Sequence, residues 1–218
     1  MTQNNWYVIC YPGGSGGSFL TAALNAAVNN KDFFVDEKLG HCHKNVHSLN
    51  HSGFEHGPSI YSFRQELNKI ESLLLDTSIF SGHYRNIVAL REKIIDTVGY
   101  NDGADTVFVK ITVDYRKSNE IQFVASMLQR KKNCFTDLPL EEYLNQTKDY
   151  IKSWYWIENA YTLPNTITLT LSDIFLNKVS SKLLLPTQAT IKLDQCQNEY
   201  LNIQNQLHRD LIQLLHEQ

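Results

Sequence analysis

The stretch WYVICYPGGSGGSFLTAALNAAV, residues 6–28, constrains the chain more than any other. Its first six residues are aromatic, β-branched or otherwise apolar and stop at Pro12-Gly13, the pattern of a short buried strand. Four glycines then fall in the five positions 13–17. Residues 18–29 are rich in Ala and Leu with no Pro or Gly, which predicts a helix. A strand that passes straight into a helix through glycines is the arrangement that cradles phosphate. Glycine lets the backbone approach a ligand and take φ > 0, and the freed N–H groups and helix N-terminus then face an anion. Ser15 and Ser18 add hydroxyl donors. The plainer alternative is a tight strand-to-helix turn that holds no ligand. No lysine follows the glycines, so this is not the GxxxxGK[ST] loop of nucleoside triphosphatases, and Gly14, Gly16 and Gly17 do not fit GxGxxG.

Further strands are predicted over 78–83 (SIFSGH), 105–113 (DTVFVKITV) and 166–171 (TITLTL). Helical patterns cover 60–75, 86–98, 118–131 and 140–160, and a long polar-and-leucine helix runs from 188 to the end. Strands alternating with helices give an α/β fold, three-layered, around a mainly parallel central sheet. The 218 residues suit one domain, 1–218, with a histidine-rich insert at about 30–58 and a C-terminal helix at about 188–218. Parallel sheets bind ligands beyond the carboxyl ends of their strands, where strand order reverses. The candidate positions are therefore 13–18, 83–85, 114–116 and 172–173; of these Asp173 reads as a helix cap.

Net charge is −3, so no bulk field draws the chain to nucleic acid or to an anionic membrane. No apolar run reaches the roughly 18 to 20 residues that span a bilayer. The N-terminus has no basic n-region, and the four scattered cysteines read as reduced thiols, so the expected location is cytoplasmic. The C-terminal leucines suit packing on the chain's own domain by default, with monomer and homodimer both open.

YPGGSGGSFL, residues 11–20, resembles the phosphosulfate-binding loop of the sulfotransferases, whose usual form is YPKSGTTWL; the loop core falls on Ser15, Gly16, Gly17 and Ser18. Three further segments follow in that family's order. SIFSGHYRN resembles the strand bearing the family's catalytic histidine, here His83; TVFVKITVDYRKSNEIQFVASM resembles the strand and helix that bind the donor's 3′-phosphate; TITLTLSDIF resembles the late strand and its acidic segment. The likeness spans residues 6–176 and implies a P-loop-type fold with 3′-phosphoadenosine 5′-phosphosulfate (PAPS) as sulfuryl donor and 3′-phosphoadenosine 5′-phosphate (PAP) as product. It implies that Gly13, Gly14, Ser15, Gly16, Gly17 and Ser18 hold the 5′-phosphosulfate, that Arg116 and Ser126 hold the 3′-phosphate, and that His83 takes a proton from a hydroxyl or amine of a small-molecule or glycan acceptor. No metal is required on that route. An imidazole titrates near neutrality, as such a base must.

The chain departs from the family pattern at three points. Gly14 stands where the family has its loop lysine, Val124 where it has its helix serine, and the late GxxGxWK segment is missing. Arg85 shares a strand side with His83 and is the first substitute for the lost cation, with Lys44 a second. Two rival readings follow: a nucleotide-dependent phosphotransferase of the same architecture, and a protein that binds a nucleotide or sulfated ligand without turnover.

GHCHKNVHSLNHSGFEH, residues 40–56, carries five of the eight histidines, with His43, His47 and His51 four residues apart. A helix there would gather imidazoles for a divalent metal; a loop would contact an acceptor or simply face water. YIKSWYWIENAY, residues 150–161, offers rings for stacking, but Trp154, Ile157 and Tyr161 share one helical face, which predicts core packing.

Overall fold

The structure is a computed structural model that describes residues 6–35, 78–82, 87–99, 105–130, 138–158, 165–176 and 178–204, together with 209, 210, 212, 213 and 215. The strands are β1 (Tyr7–Cys10), β2 (Ile79–Gly82), β3 (Val107–Thr112) and β4 (Thr166–Thr170). The helices are α1 (Gly17–Asn29), α2 (Ile87–Val98), α3 (Ser118–Arg130), α4 (Leu140–Glu158), α5 (Leu171–Phe175), α6 (Val179–Leu183) and α7 (Thr187–Ile203). The four strands lie in the order β2-β1-β3-β4, all parallel, flanked by helices in a three-layer α/β arrangement. The segments 36–77 and 83–86, which contain the expected helix at 60–75 and the histidine-rich stretch, lie outside the described residues.

The strand period of two divides the core into two layers. Ile9, Tyr11, Val109, Ile111 and Leu169 join the larger core with Phe19, Leu20 and Leu24 of α1, Phe123 and Val124 of α3, and Leu193, Cys196 and Tyr200 of α7. Val8, Cys10, Phe80 and Phe108 project to the other face, where Ile87, Leu90 and Ile94 of α2 cover them. Beyond that cover, towards the carboxyl half of β3 and along β4, the same face carries half-buried Lys110 and exposed Thr168 and Thr170.

Rings of Phe19, Phe123, Phe175 and Tyr200 tie the helices of the larger layer together. The Phe19 and Tyr200 centroids are 4.4 Å apart and those of Phe123 and Phe175 are 5.0 Å apart. Offset and tilted aromatic pairs of this kind add to the burial of the rings themselves. Phe175 is carried by α5, a helix of one turn started by a capping box: the Asp173 N–H donates to the Thr170 hydroxyl at 3.2 Å, and the Thr170 N–H donates to Asp173 at 2.8 Å. Asp173 is thus the cap expected of it. Burial alone pushes its carboxyl up, but the Lys182 ammonium at 2.6 Å and the Thr170 bonds outweigh burial and hold it below the usual carboxylate value.

The C-terminal segment packs on α1, but not as one helix to the terminus. α7 ends at Ile203, and Gln204 turns to extended φ −70°, ψ 144°. The run Asn202-Ile203-Gln204-Asn205-Gln206 offers no apolar stripe to hold another turn against α1. Ile212 and Leu215 return to the core beyond it.

Phe175→Ala should remove about 3–5 kcal/mol of stability, the scale of a buried phenylalanine truncation. Urea unfolding checks this, and a loss below about 1 kcal/mol would show that Phe175 is not the hub the ring contacts make it.

Candidate functional site

The glycine turn leaves β1 through Tyr11 and Pro12. Both the N–H and the hydroxyl of Ser15 donate to the Pro12 carbonyl, at 3.2 and 2.7 Å. They close a four-residue turn whose third residue, Gly14, has φ +81°, as a type II turn requires. Gly16, at φ +80°, is the N-cap of α1, and the Leu20 N–H donates to its carbonyl at 2.9 Å. Two left-handed glycines thus bracket Ser15 at the entrance to α1. Tyr150 of α4 accepts the Gly13 N–H on its hydroxyl at 2.8 Å. The N–H groups of Gly14, Gly16, Gly17 and Ser18 take no partner among the described residues, and no acidic side chain stands in the first turn of α1. The positive end of the α1 dipole is therefore uncompensated by the helix itself.

Each of three glycines meets a wall. A Cβ on Gly14 would lie 2.8 Å from the Val124 carbonyl oxygen, and one on Gly16 would lie 2.9 Å from the Phe175 ring. A Cβ on Gly17 would run into the Tyr11 ring. The turn is buried from Gly13 to Gly17. The glycines thus answer a packing need whatever they bind.

Strand order reverses between β1 and β3, so the turn after β3 lies beside the glycine turn at the carboxyl edge of the sheet. There Asp114 grips Arg116: Arg116 Nε to Asp114 Oδ1 is 2.9 Å and the second guanidinium bond, to Oδ2, is 3.1 Å. That guanidinium holds the Asp114 carboxyl below the usual carboxylate value. The Asp114 N–H donates to Glu120 Oε2 at 2.7 Å, and the Lys117 ammonium approaches Glu120 at 3.5 Å. Glu120 is buried, which pushes its carboxyl up.

The expected site residues divide accordingly. Gly13 to Ser18 form one continuous turn, but the Ser15 hydroxyl is spent on Pro12, and the Ser18 hydroxyl pairs with Tyr11 at 3.1 Å. Arg116 sits at the carboxyl end of β3, exposed. Ser126 is half-buried on α3, eight residues beyond Ser118 and about 12 Å along the helix. One phosphate reaches both Arg116 and Ser126 only if the arginine side chain runs back along α3. Val124, the residue at the family's serine position, is fully buried against Gly14. His83 and Arg85 lie outside the described residues; Gly82, which precedes them, pairs with Cys10 at the end of β1.

Four participants were not foreseen from sequence. Tyr11 and Tyr150 brace the loop by their hydroxyls, and Glu120 anchors the β3–α3 turn. Lys110 sits opposite Cys10, half-buried on a strand otherwise apolar, and burial lowers its ammonium pKa while burial pushes the Cys10 thiol up to about 12. A lone lysine within VFVKIT was the signal available for it. Among the described residues, no three His, Cys, Asp or Glu side chains gather as metal ligands, and no helix is long and apolar enough to cross a membrane. A comparison with protein-family models, with curated proteins and with solved structures finds no match to this chain.

Gly99 has φ +89° with open space where a Cβ would stand, so it isolates the backbone penalty from the packing one. Gly99→Ala should cost about 1 kcal/mol, and Gly14→Ala that amount plus about 1–3 kcal/mol for the collision with Val124. Equal losses in urea unfolding would remove the packing account of the turn.

Proposed function

We propose that the chain is a sulfotransferase-like protein of P-loop type that binds PAPS and transfers its sulfuryl group to a hydroxyl or amine of a small-molecule or glycan acceptor. The observation that carries this reading is the pairing, at one edge of the sheet, of a glycine turn with N–H groups that take no partner among the described residues and an arginine in the turn after the neighbouring strand. In this reading the N–H groups of Gly14, Gly16, Gly17 and Ser18 hold the 5′-phosphosulfate, and Arg116 takes the 3′-phosphate, with Ser126 as its partner on α3. His83 removes the acceptor proton as the acceptor oxygen or nitrogen bonds to sulfur. The bond from sulfur to the phosphate oxygen breaks, and PAP leaves with that electron pair. Transfer of this kind is governed by alignment and by stabilising charge on the leaving phosphate. With Gly14 at the lysine position, that charge falls to the backbone donors and to Arg85.

Binding without turnover is the second reading, and a specific feature favours it. Gly14 is pressed on Val124 and carries no cation, while Gly13 and Ser15 have already spent donors on Tyr150 and Pro12. A phosphotransferase of the same architecture is the third outcome of the same measurement.

Calorimetric titration with PAP, beside ATP with and without Mg²⁺, tests the reading. Metal-independent binding of PAP in preference to ATP is expected; preference for Mg-ATP would give the phosphotransferase, and binding of neither would leave the turn a packing device. His83→Ala should lower sulfuryl transfer about 10²- to 10⁴-fold with PAP affinity unchanged. A wild-type chain that binds PAP but shows no transfer across an acceptor panel would make the protein a binder.

A further inference from the structure

Arg116 is already occupied before any ligand arrives. Two parallel bonds, 2.9 and 3.1 Å, join its guanidinium to both oxygens of Asp114, and its own backbone N–H donates to Asp114 Oδ1 at 3.0 Å. The carboxylate is not loosely placed. The Asp114 backbone N–H is fixed on Glu120 Oε2 at 2.7 Å, and Glu120 is only 3% exposed in the first turn of α3. The arginine, by contrast, is open: its side chain is 73% exposed, with the guanidinium carbon 6.0 Å from the Tyr115 ring centroid.

We propose that Asp114 is the resident counter-anion of Arg116 and a specificity-determining residue of the site: the guanidinium passes only to a ligand group that can replace both carboxylate oxygens at once. This rests on the reading of Arg116 as the residue that meets the donor's 3′-phosphate. A terminal phosphate fits the exchange. It offers two oxygens to the same fork and carries more negative charge than a carboxylate. A hydroxyl at the same place offers one oxygen and no charge, so the fork stays with Asp114. A ligand that lacks the 3′-phosphate gains nothing from Arg116. The exchange is cheap because an exposed ion pair is worth little in water.

Asp114→Asn separates the roles. The amide keeps one oxygen for the Arg116 backbone and turns a donor towards the other half of the fork, which breaks the two-point carboxylate grip on the guanidinium. Calorimetric titration should show PAP binding about threefold tighter than in the wild type, the scale of one exposed ion pair. Adenosine 5′-phosphate, which has no 3′-phosphate, should bind both proteins equally. Equal tightening for both nucleotides would mean a general gain from the lost negative charge and would overturn the proposal. Unchanged PAP affinity in the variant, with PAP bound well by the wild type, would also overturn it and leave the PAP reading standing. Binding of PAP by neither protein overturns both. A second measurement needs no variant. In the wild-type chain, the Asp114 carboxyl carbon followed by NMR across pH should titrate low without ligand, held there by Arg116 and Lys117. With saturating PAP it should move back up as the guanidinium leaves it. A carboxyl that titrates unchanged when PAP is bound would show that Arg116 never let go.

Discussion

The structure turns on how closely the β1–α1 backbone approaches its neighbours. Between the last residue of β1 and the first turn of α1, the chain lies against the Tyr11 ring, the Phe175 ring and the Val124 carbonyl, with no room for a Cβ at Gly17, Gly16 or Gly14. Only glycine tolerates that approach together with two positive φ values. The contacts reach three separate elements. Tyr11 directly follows β1, Val124 belongs to α3 after β3, and Phe175 to α5 after β4, so one turn packs against the segments that follow three of the parallel strands. Docking of α1 on the sheet and of α7 on α1 goes with it, through the mutual contact of the Phe19, Phe175 and Tyr200 rings.

Charge around that point is balanced locally. Arg116 is matched by Asp114, and Lys117 lies against Glu120. The N–H groups of Gly14, Gly16, Gly17 and Ser18 and the N-terminal end of α1 add backbone positive charge there, with no partner among the described residues. In the proposed reading, a site built this way selects by shape and hydrogen-bond direction more than by field. That suits a small anion seated in the turn and does not suit an extended polyanion, which needs many cations along its track. The overall charge of −3 agrees with this.

Short-range patterns of the fold were legible. Apolar runs bounded by turn residues located the four described strands to within a few residues, a composition rich in Ala and Leu located α1, and a helical pattern located α3. The glycine turn was legible as a turn, since no other residue type supplies its backbone. What each glycine touches was not: the Tyr150 hydroxyl that meets Gly13 lies 137 residues away in the chain, and nothing local in YIKSWY marks one ring as a loop partner. Asp114 and Arg116 stand two apart in DYRKSNE, yet their fork depends on a backbone bent by Glu120, which spacing alone does not reveal. The C-terminal helix misled because leucines beyond Gln204 continue its composition while the backbone does not continue its geometry.

Packing and the proposed anion binding do not compete as explanations of the same turn. The Cα atoms of Gly14, Gly16 and Gly17 are pressed against Val124, Phe175 and Tyr11, which restricts rotation of the adjoining peptide planes. The N–H edges that do not face those walls are then held in fixed directions before a ligand arrives. Tyr150 and Pro12 satisfy the donors of Gly13 and Ser15, which tightens the turn further and leaves Gly14, Gly16, Gly17 and Ser18 as the donors still to be matched. Unmatched N–H groups in a buried turn are costly, so in the proposed reading these donors, which take no partner among the described residues, favour a small acceptor that fits among them. In the proposed reading, the rigidity that makes these glycines structural is also what makes the remaining donors selective.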